Sequence, residues 1–143
     1  MIHKFVEYIP ENIEDNVIYI SVQYSTVSHN CCCGCGNKVV TPLSPTDWNL
    51  SYNGETVSIY PSIGNWGFPC QSHYWIRDNK IKWSRKWSKD EIVENHKKDV
   101  IAKENFYNKK KIEYNSTNKI PLNKSTKKQP KKLLWSKLFN KNS

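Results

Sequence analysis

The sequence predicts a mainly β (α+β) protein: a small antiparallel sheet or barrel-like domain, followed by one C-terminal helix and a disordered basic tail. Three features lead to this prediction. Short segments rich in β-branched and aromatic residues follow one another with no helical segment between them. All five glycines and five of the six tryptophans precede residue 88, where a turn-rich core would be built. The net positive charge lies in the last part of the chain, since residues 108–143 hold eleven lysines and one acid.

The first strands are predicted in "HKFVEYI" and "VIYISVQY", which are separated by the polar stretch "PENIEDN" and are expected to pair. Asn53-Gly54 lies between two alternating runs, which favours a hairpin with a primed turn, where both central residues have positive φ. Asp78-Asn79 repeats this pattern. Five or six strands are therefore expected. The tryptophans expected in their core are Trp48, Trp66, Trp75 and Trp83.

A helix is predicted to begin after Ser88, because Ser88 and Glu91 have the spacing of a capping box. It is expected to end near residue 106 and to pack an apolar face on the sheet. Lys109–Ser125 is polar and predicts a disordered linker, and "KKLLWSKLFNK" predicts a basic amphipathic helix. The chain is therefore expected to consist of a zinc-binding β-rich domain with a terminal helix, over residues 1–107, and a flexible Lys-rich tail over residues 108–143. The apolar face of the helix would contain Ile92, Val93, His96, Val100 and Ile101.

Charge and hydropathy exclude several functional classes. Residues 1–107 hold eleven basic and twelve acidic residues, so we expect no specific nucleic-acid surface on the folded part. No apolar run approaches the roughly 20 residues that span a bilayer, and the first residues lack the apolar region of a signal peptide. A cytoplasmic protein with reduced thiols is expected. The basic tail is expected to make at most a weak contact with anionic membranes.

The cysteines predict a metal site. In "HNCCCGCG", three of the four cysteines alternate, so they share one face of an extended chain while Cys32 points away. Gly34 and Gly36 allow the bend that would bring the sulfurs around one ion. The expected site is a structural zinc, with His29 as the main substitute for one sulfur. The alternatives are buried reduced thiols or, less favoured, a vicinal disulfide. The expected ligands are Cys31, Cys33, Cys35 and Cys70.

A closed zinc site leaves any catalysis to other residues. Ser72 and His73 are neighbours and would point to opposite faces of a strand, so they cannot pair unless the chain bends. Ser72 would lie beside the metal, within reach of His29, whereas His73 would serve Ser62 from another strand. The alternatives are that His73 is a partly buried structural histidine and that Ser62 closes a glycine-containing turn in "PSIGNW".

Four motifs, "HNCCCGCG", "VVTPLSP", "PSIGNW" and "CQSHYWI", resemble in order and spacing a family of small bacterial peptidases, BubE, encoded beside ubiquitin-like conjugation genes. The resemblance covers roughly residues 3–100. It implies processing or removal of a ubiquitin-like modifier by a serine mechanism. The family pattern H-x-C-x-C-G-C-G leaves Cys32 outside, and the later motif matches Cys70, Ser72 and His73.

The predicted function is therefore a peptidase of a bacterial ubiquitin-like pathway, acting on a ubiquitin-like protein and its conjugates. Ser72 or Ser62 is expected as the nucleophile and His73 or His29 as the base, with Asp47 as a weak candidate for the orienting acid. A metallopeptidase with three zinc ligands is a second version, although the HExxH helix is absent. The non-enzymatic alternative is a zinc-binding module that binds a ubiquitin-like protein or a conjugation component.

Overall fold

The computed structural model describes residues 1–117, which form eight strands and one helix. The strands make two four-stranded sheets, in the orders β1-β2-β3-β4 and β5-β6-β7-β8. The mainly β class with one C-terminal helix is confirmed, although the strands outnumber the five or six expected. The elements are β1 (Ile2–Phe5), β2 (Val17–Ser21), β3 (Thr26–Asn30), β4 (Lys38–Pro42), β5 (Asn49–Tyr52), β6 (Val57–Gly64), β7 (His73–Arg77), β8 (Lys80–Trp83) and α1 (Lys89–Thr117).

The first sheet departs from the prediction in the direction of one strand. β1 pairs with β2 as expected, but the two strands are parallel, with Ile2 opposite Val17. The reason is the long connection of residues 6–16, which returns the chain to the same end of the sheet before β2 begins. β2, β3 and β4 then pair antiparallel. Every residue of β2 is buried.

Both predicted hairpins are present in the second sheet, but the turn of the first was predicted wrongly. β5 and β6 are joined by four residues, in which Asn53 Oδ1 accepts hydrogen bonds from the backbone N–H groups of Glu55 and Thr56. This Asx-type closure leaves only Gly54 with positive φ, at 98°. The primed turn occurs between β7 and β8, where φ is 48° at Asp78 and 60° at Asn79.

The core is aliphatic rather than built from tryptophan, which corrects the sequence prediction. Trp83 is 55% exposed, and Trp48 packs only at the edge of the core. Alternating inward positions on strands of both sheets supply the buried side chains, as expected for two sheets that share one core. Its members are Ile18, Ile20, Val27, Cys31, Val39, Val57, Ile59, Ile63, Tyr74 and Ile76.

The helix begins as predicted but continues further and packs differently. Ser88 N–H donates to the Glu91 carboxylate and Glu91 N–H donates to Ser88 Oγ, which confirms the capping box. The predicted end near residue 106 is wrong: α1 continues to Thr117, because residues 89–117 contain neither glycine nor proline. No residue of α1 is buried, so the predicted apolar packing on a sheet is also wrong.

An ion pair connects the middle of α1 to the loop between β4 and β5, with Lys103 Nζ 2.6 Å from Asp47 Oδ1. The predicted disordered linker is wrong over residues 109–117, which belong to α1. The rest of that linker and the predicted amphipathic segment lie outside the described residues. Within residues 1–117 no helix is sufficiently long and apolar to cross a membrane.

Candidate functional site

The cysteine loop connects β3 to β4. Cys31 N–H donates to Asn37 O at 2.8 Å and Gly34 N–H donates to Cys31 O at 3.0 Å, so the loop closes on itself. Gly34 and Gly36 have φ of 82° and 78°. These positive values supply the predicted bend, so the sulfurs converge because the chain turns and not because they share the face of a strand.

A second loop brings the remaining cysteine to the first three. The chain between β6 and β7 is closed by backbone hydrogen bonds, including Asn65 N–H to Ser72 O at 2.9 Å and Gln71 N–H to Phe68 O at 3.0 Å. Gln71 adopts a positive φ of 45°, which turns the chain back into β7. This places Cys70 against the cysteine loop of the other sheet.

Four sulfur atoms lie within 4.8 Å of one another: those of Cys31, Cys33, Cys35 and Cys70. Cys31 Sγ is 3.4 Å from Cys33 Sγ and 3.9 Å from Cys70 Sγ, and Cys35 Sγ is 3.8 Å from Cys70 Sγ. Thiolates at about 2.3 Å from a tetrahedral ion would be separated by about 3.8 Å. The four predicted ligands can therefore hold a metal ion together.

Asn37 contacts the cysteine cluster through a hydrogen bond, whereas the fifth cysteine, Cys32, lies outside the cluster. Asn37 donates a side-chain hydrogen bond to Cys35 Sγ at 3.2 Å, and hydrogen bonds from its backbone and side chain lower the pKa of Cys35 to about 6. This favours the thiolate that a metal requires. Cys32 lies outside the cluster and packs against the apolar core, where burial raises its pKa to about 11. All five cysteines are free thiols.

His29 is fully buried on β3 and is not one of the four clustered ligands. Its Nε2 atom lies 2.9 Å from Tyr74 Oη, and its Nδ1 atom has no hydrogen-bond partner among the described residues. Burial lowers the pKa of His29 to about 4, so the ring is neutral near pH 7. No hydrogen bond connects His29 to Ser62 or Ser72 in the described part of the chain.

Ser72 lies beside the sulfurs, as its position two residues after Cys70 suggested. Its Oγ accepts a hydrogen bond from Asn65 Nδ2 at 2.8 Å and lies 3.1 Å from Cys31 Sγ and 3.5 Å from Cys70 Sγ. The residue is 7% exposed. The described hydrogen bonds of Ser72 therefore connect it to the cysteine cluster and not to a histidine.

The structure brings Ser62 and His73 together. His73 Nε2 lies 2.9 Å from Ser62 Oγ. Gly64 on β6 is opposite His73 on β7, and Ser62, two residues before Gly64, lies on the same outward face. The pairing of β6 with β7 is irregular between Ile59 and Ile63, so Ser62 belongs to a bulged part of a strand. The alternative in which Ser62 closes a turn in "PSIGNW" therefore does not hold, since Ser62 lies in β6.

The other ring nitrogen of His73 faces a backbone carbonyl. His73 Nδ1 lies 3.2 Å from Arg85 O, in the segment between β8 and α1. The predicted orienting acid lies elsewhere: Asp47 contacts Lys103 and Ser44, and the ion pair with Lys103 lowers the pKa of Asp47. Sequence reasoning missed Arg85 because a main-chain acceptor leaves no mark on residue type.

Three tryptophans surround the His73 ring. The ring centroids of Trp66, Trp75 and Trp87 lie 5.0, 5.7 and 4.9 Å from that of His73, and Trp66 stacks on Trp87 at 5.2 Å. Trp66 also covers Gly64, where an added Cβ would lie 2.4 Å from the indole. The tryptophans predicted for the core thus include two that enclose this site.

Comparison with known proteins places these residues in a family. The family model described as "Bacterial ubiquitination-like system serine protease (BubE)" matches residues 5–84. The chain belongs to the BubE family. The matched residues of this BubE-family protein include the four clustered cysteines, both candidate serines and both candidate histidines, whereas Arg85, Trp87 and α1 lie beyond them. No curated protein and no solved structure matches the chain.

Proposed function

We propose that this chain is a serine peptidase that cleaves after the C-terminus of a ubiquitin-like modifier, with Ser62 as the nucleophile and His73 as the base. The observation that carries the proposal is the 2.9 Å approach of His73 Nε2 to Ser62 Oγ, which is within hydrogen-bond reach for a nucleophile and its base. The family name supports the serine class and the ubiquitination-like setting.

The contacts of His73 favour the tautomer that a base requires. A carbonyl oxygen can only accept, so the contact between Nδ1 and Arg85 O places the proton on Nδ1. Nε2 is then free to accept the Ser62 hydroxyl proton as Oγ attacks a substrate carbonyl. The same Nε2 atom would return this proton to the leaving amine. Arg85 O takes the orienting part that the sequence had suggested for Asp47.

Ser72 is better suited to supporting the cysteines. Its Oγ accepts from Asn65, so its own proton is available to Cys31. A hydroxyl that donates to a thiolate stabilises a metal ligand in the way that outer hydrogen bonds commonly do. In this proposal Ser72 and His29 have structural functions.

The metal in this proposal is zinc, because four thiolates in a tetrahedral arrangement are typical of structural zinc sites. Cys31, Cys33, Cys35 and Cys70 would hold the ion and occupy all four positions. Its chemistry there is to bind thiolates and hold the two loops together. No position would remain for water, which disfavours the metallopeptidase version. The reduced thiols agree with a cytoplasmic location, and ubiquitin-like proteins and their conjugates are the proposed partners.

The test is cleavage of a ubiquitin-like protein fused at its C-terminus to a reporter. Ser62→Ala should lower kcat/KM by at least about 10³-fold, since it removes the nucleophile. Ser58→Ala, on the same strand, should remain within about threefold, and Ser72→Ala should retain turnover when the metal is bound. Activity that survives Ser62→Ala but is lost in metal-loaded Ser72→Ala would reverse the assignment. Binding of the fusion without cleavage by the wild-type chain would support the non-enzymatic module.

A further inference from the structure

The segment between β8 and α1 supplies the carbonyl that contacts His73, and contacts on both sides of this carbonyl hold the segment against β7. Ser84 N–H donates to His73 O at 2.9 Å, next to the pairing of β7 with β8. Trp87 packs edge-on against the His73 ring at 4.9 Å. Between these residues lies Arg85, whose carbonyl is the only described protein acceptor of His73 Nδ1.

The side chain of the same arginine is held by the first turn of α1. Arg85 makes a two-pronged contact with the Glu91 carboxylate, including an Nη1 to Oε2 distance of 3.0 Å. Glu91 Oε2 also accepts the Ser88 N–H at 2.8 Å. One carboxylate therefore fixes two residues of a five-residue segment, which ties the position of the Arg85 carbonyl to the capping box.

We propose that the Arg85–Glu91 ion pair is a positioning device, which holds the Arg85 carbonyl against His73 Nδ1 and so keeps the ring oriented toward Ser62. This inference rests on the proposed function. Both residues lie beyond the part of the chain that the family model matches. The pKa of Glu91 is lowered to about 2, chiefly by its hydrogen bonds with Arg85, so the carboxylate is ionised at neutral pH.

The test compares Arg85→Ala, Glu91→Gln and the double variant in the full chain. Glu94→Gln is the control, because Glu94 pairs with Lys98 on the next turn of the same helix and does not contact the segment. We expect kcat to fall about 5- to 20-fold in each single variant with KM within about twofold, because only the orientation of the base changes. The kcat of the double variant should be no lower than that of either single variant, because both substitutions remove the same ion pair.

A second readout does not depend on turnover. In ¹⁵N spectra of the imidazoles, assigned with His73→Gln, the His73 ring of the wild type and of Glu94→Gln should show one tautomer with the proton on Nδ1. Arg85→Ala and Glu91→Gln should show a mixture of tautomers. Retention of a single tautomer and of full kcat in both variants would overturn the proposal. If the wild type cleaves no ubiquitin-like fusion, the proposed function fails, while a tautomer mixture in the variants would still support the positioning device.

Discussion

His73 and His29 differ in their hydrogen-bond partners more than in their burial. Both rings are nearly inaccessible, but His73 has a serine on one nitrogen and a carbonyl on the other. His29 has Tyr74 on one nitrogen and no described partner on the other. The contact of His73 with Ser62 is the one on which the proposed nucleophile and base depend, whereas the buried His29 ring contacts only Tyr74 among the described hydrogen bonds.

Gly64 leaves room for the Trp66 indole to pack beside His73, and replacing Gly64 tests the importance of this packing. In Gly64→Ala the new Cβ would lie 2.4 Å from the Trp66 indole, so the ring must shift from its present position beside His73. We expect a loss of about 1–3 kcal/mol in the free energy of unfolding and at least a tenfold fall in kcat/KM. Gly67→Ala is the matched control, because nothing lies within 4 Å of its added Cβ. Equal effects of the two substitutions on denaturant unfolding and on activity would contradict the inference that Gly64 is needed for the packing of Trp66 beside His73.

The sequence predicted the directions of the Ser72 and His73 side chains, but only some of the residues that the site side chains contact. The spacing of Ser72 and His73 implied that the two side chains point apart, and the structure places them toward the cysteines and toward Ser62 respectively. This worked because strand alternation is a local rule. The Arg85 carbonyl and the position of Asp47 depend on how distant segments meet, which alternation does not encode.

At the scale of elements, turns and loops determine where the site is assembled. The cysteine loop follows β3 in one sheet, Cys70 and Ser72 precede β7 in the other, and Ser62 lies in the irregular part of β6. Short motifs predicted the capping box at Ser88 and the turn at Asp78-Asn79, but the Asn53-Gly54 motif predicted the wrong kind of turn. The direction of β1 was not predicted, because it depends on a long connection. The continuation of α1 agrees with the absence of glycine and proline from residues 89–117, a sequence feature that the prediction overlooked.

The turn between β7 and β8 offers a test of how this hairpin is fixed. Asn79 has φ of 60°, and its Oδ1 accepts the Val57 N–H at 2.9 Å. Asn79→Ala and Asn79→Gly both lose this hydrogen bond, at a cost of about 0.5–1.5 kcal/mol. Alanine alone adds the strain of positive φ, about 1 kcal/mol more. Thermal unfolding should therefore rank wild type above glycine and glycine above alanine; an alanine variant as stable as the glycine variant would contradict the turn assignment.

At the scale of the whole molecule, the cysteine cluster joins the two sheets. Cys31, Cys33 and Cys35 belong to the first sheet's loop and Cys70 to the second sheet's loop, so an ion bound by all four would link both halves of the core. The sequence predicted which four cysteines cluster, because three alternating cysteines beside glycines indicate a bend that brings their sulfurs together. It did not predict two sheets sharing one core, since pairing between distant strands is not visible in local patterns.

Metal binding should be measured by elemental analysis and thermal unfolding of purified protein. We expect one zinc ion per wild-type chain and per Cys32→Ala chain, and less than about 0.2 per Cys35→Ser chain. Removal of the ion should cost at least about 2 kcal/mol and lower Tm by at least about 8 °C, because each kcal/mol shifts Tm by roughly 4–8 °C in a domain of this size. A metal-free wild-type protein with an unchanged Tm would refute the structural metal site.

The most direct measurement of the central claim is peptide mapping by mass spectrometry after the full chain is treated with a fluorophosphonate, which labels activated serines. The account predicts one adduct per chain, located on Ser62 and lost in His73→Ala. An adduct on Ser72, or labelling of Ser62 that is unchanged in His73→Ala, would contradict the account.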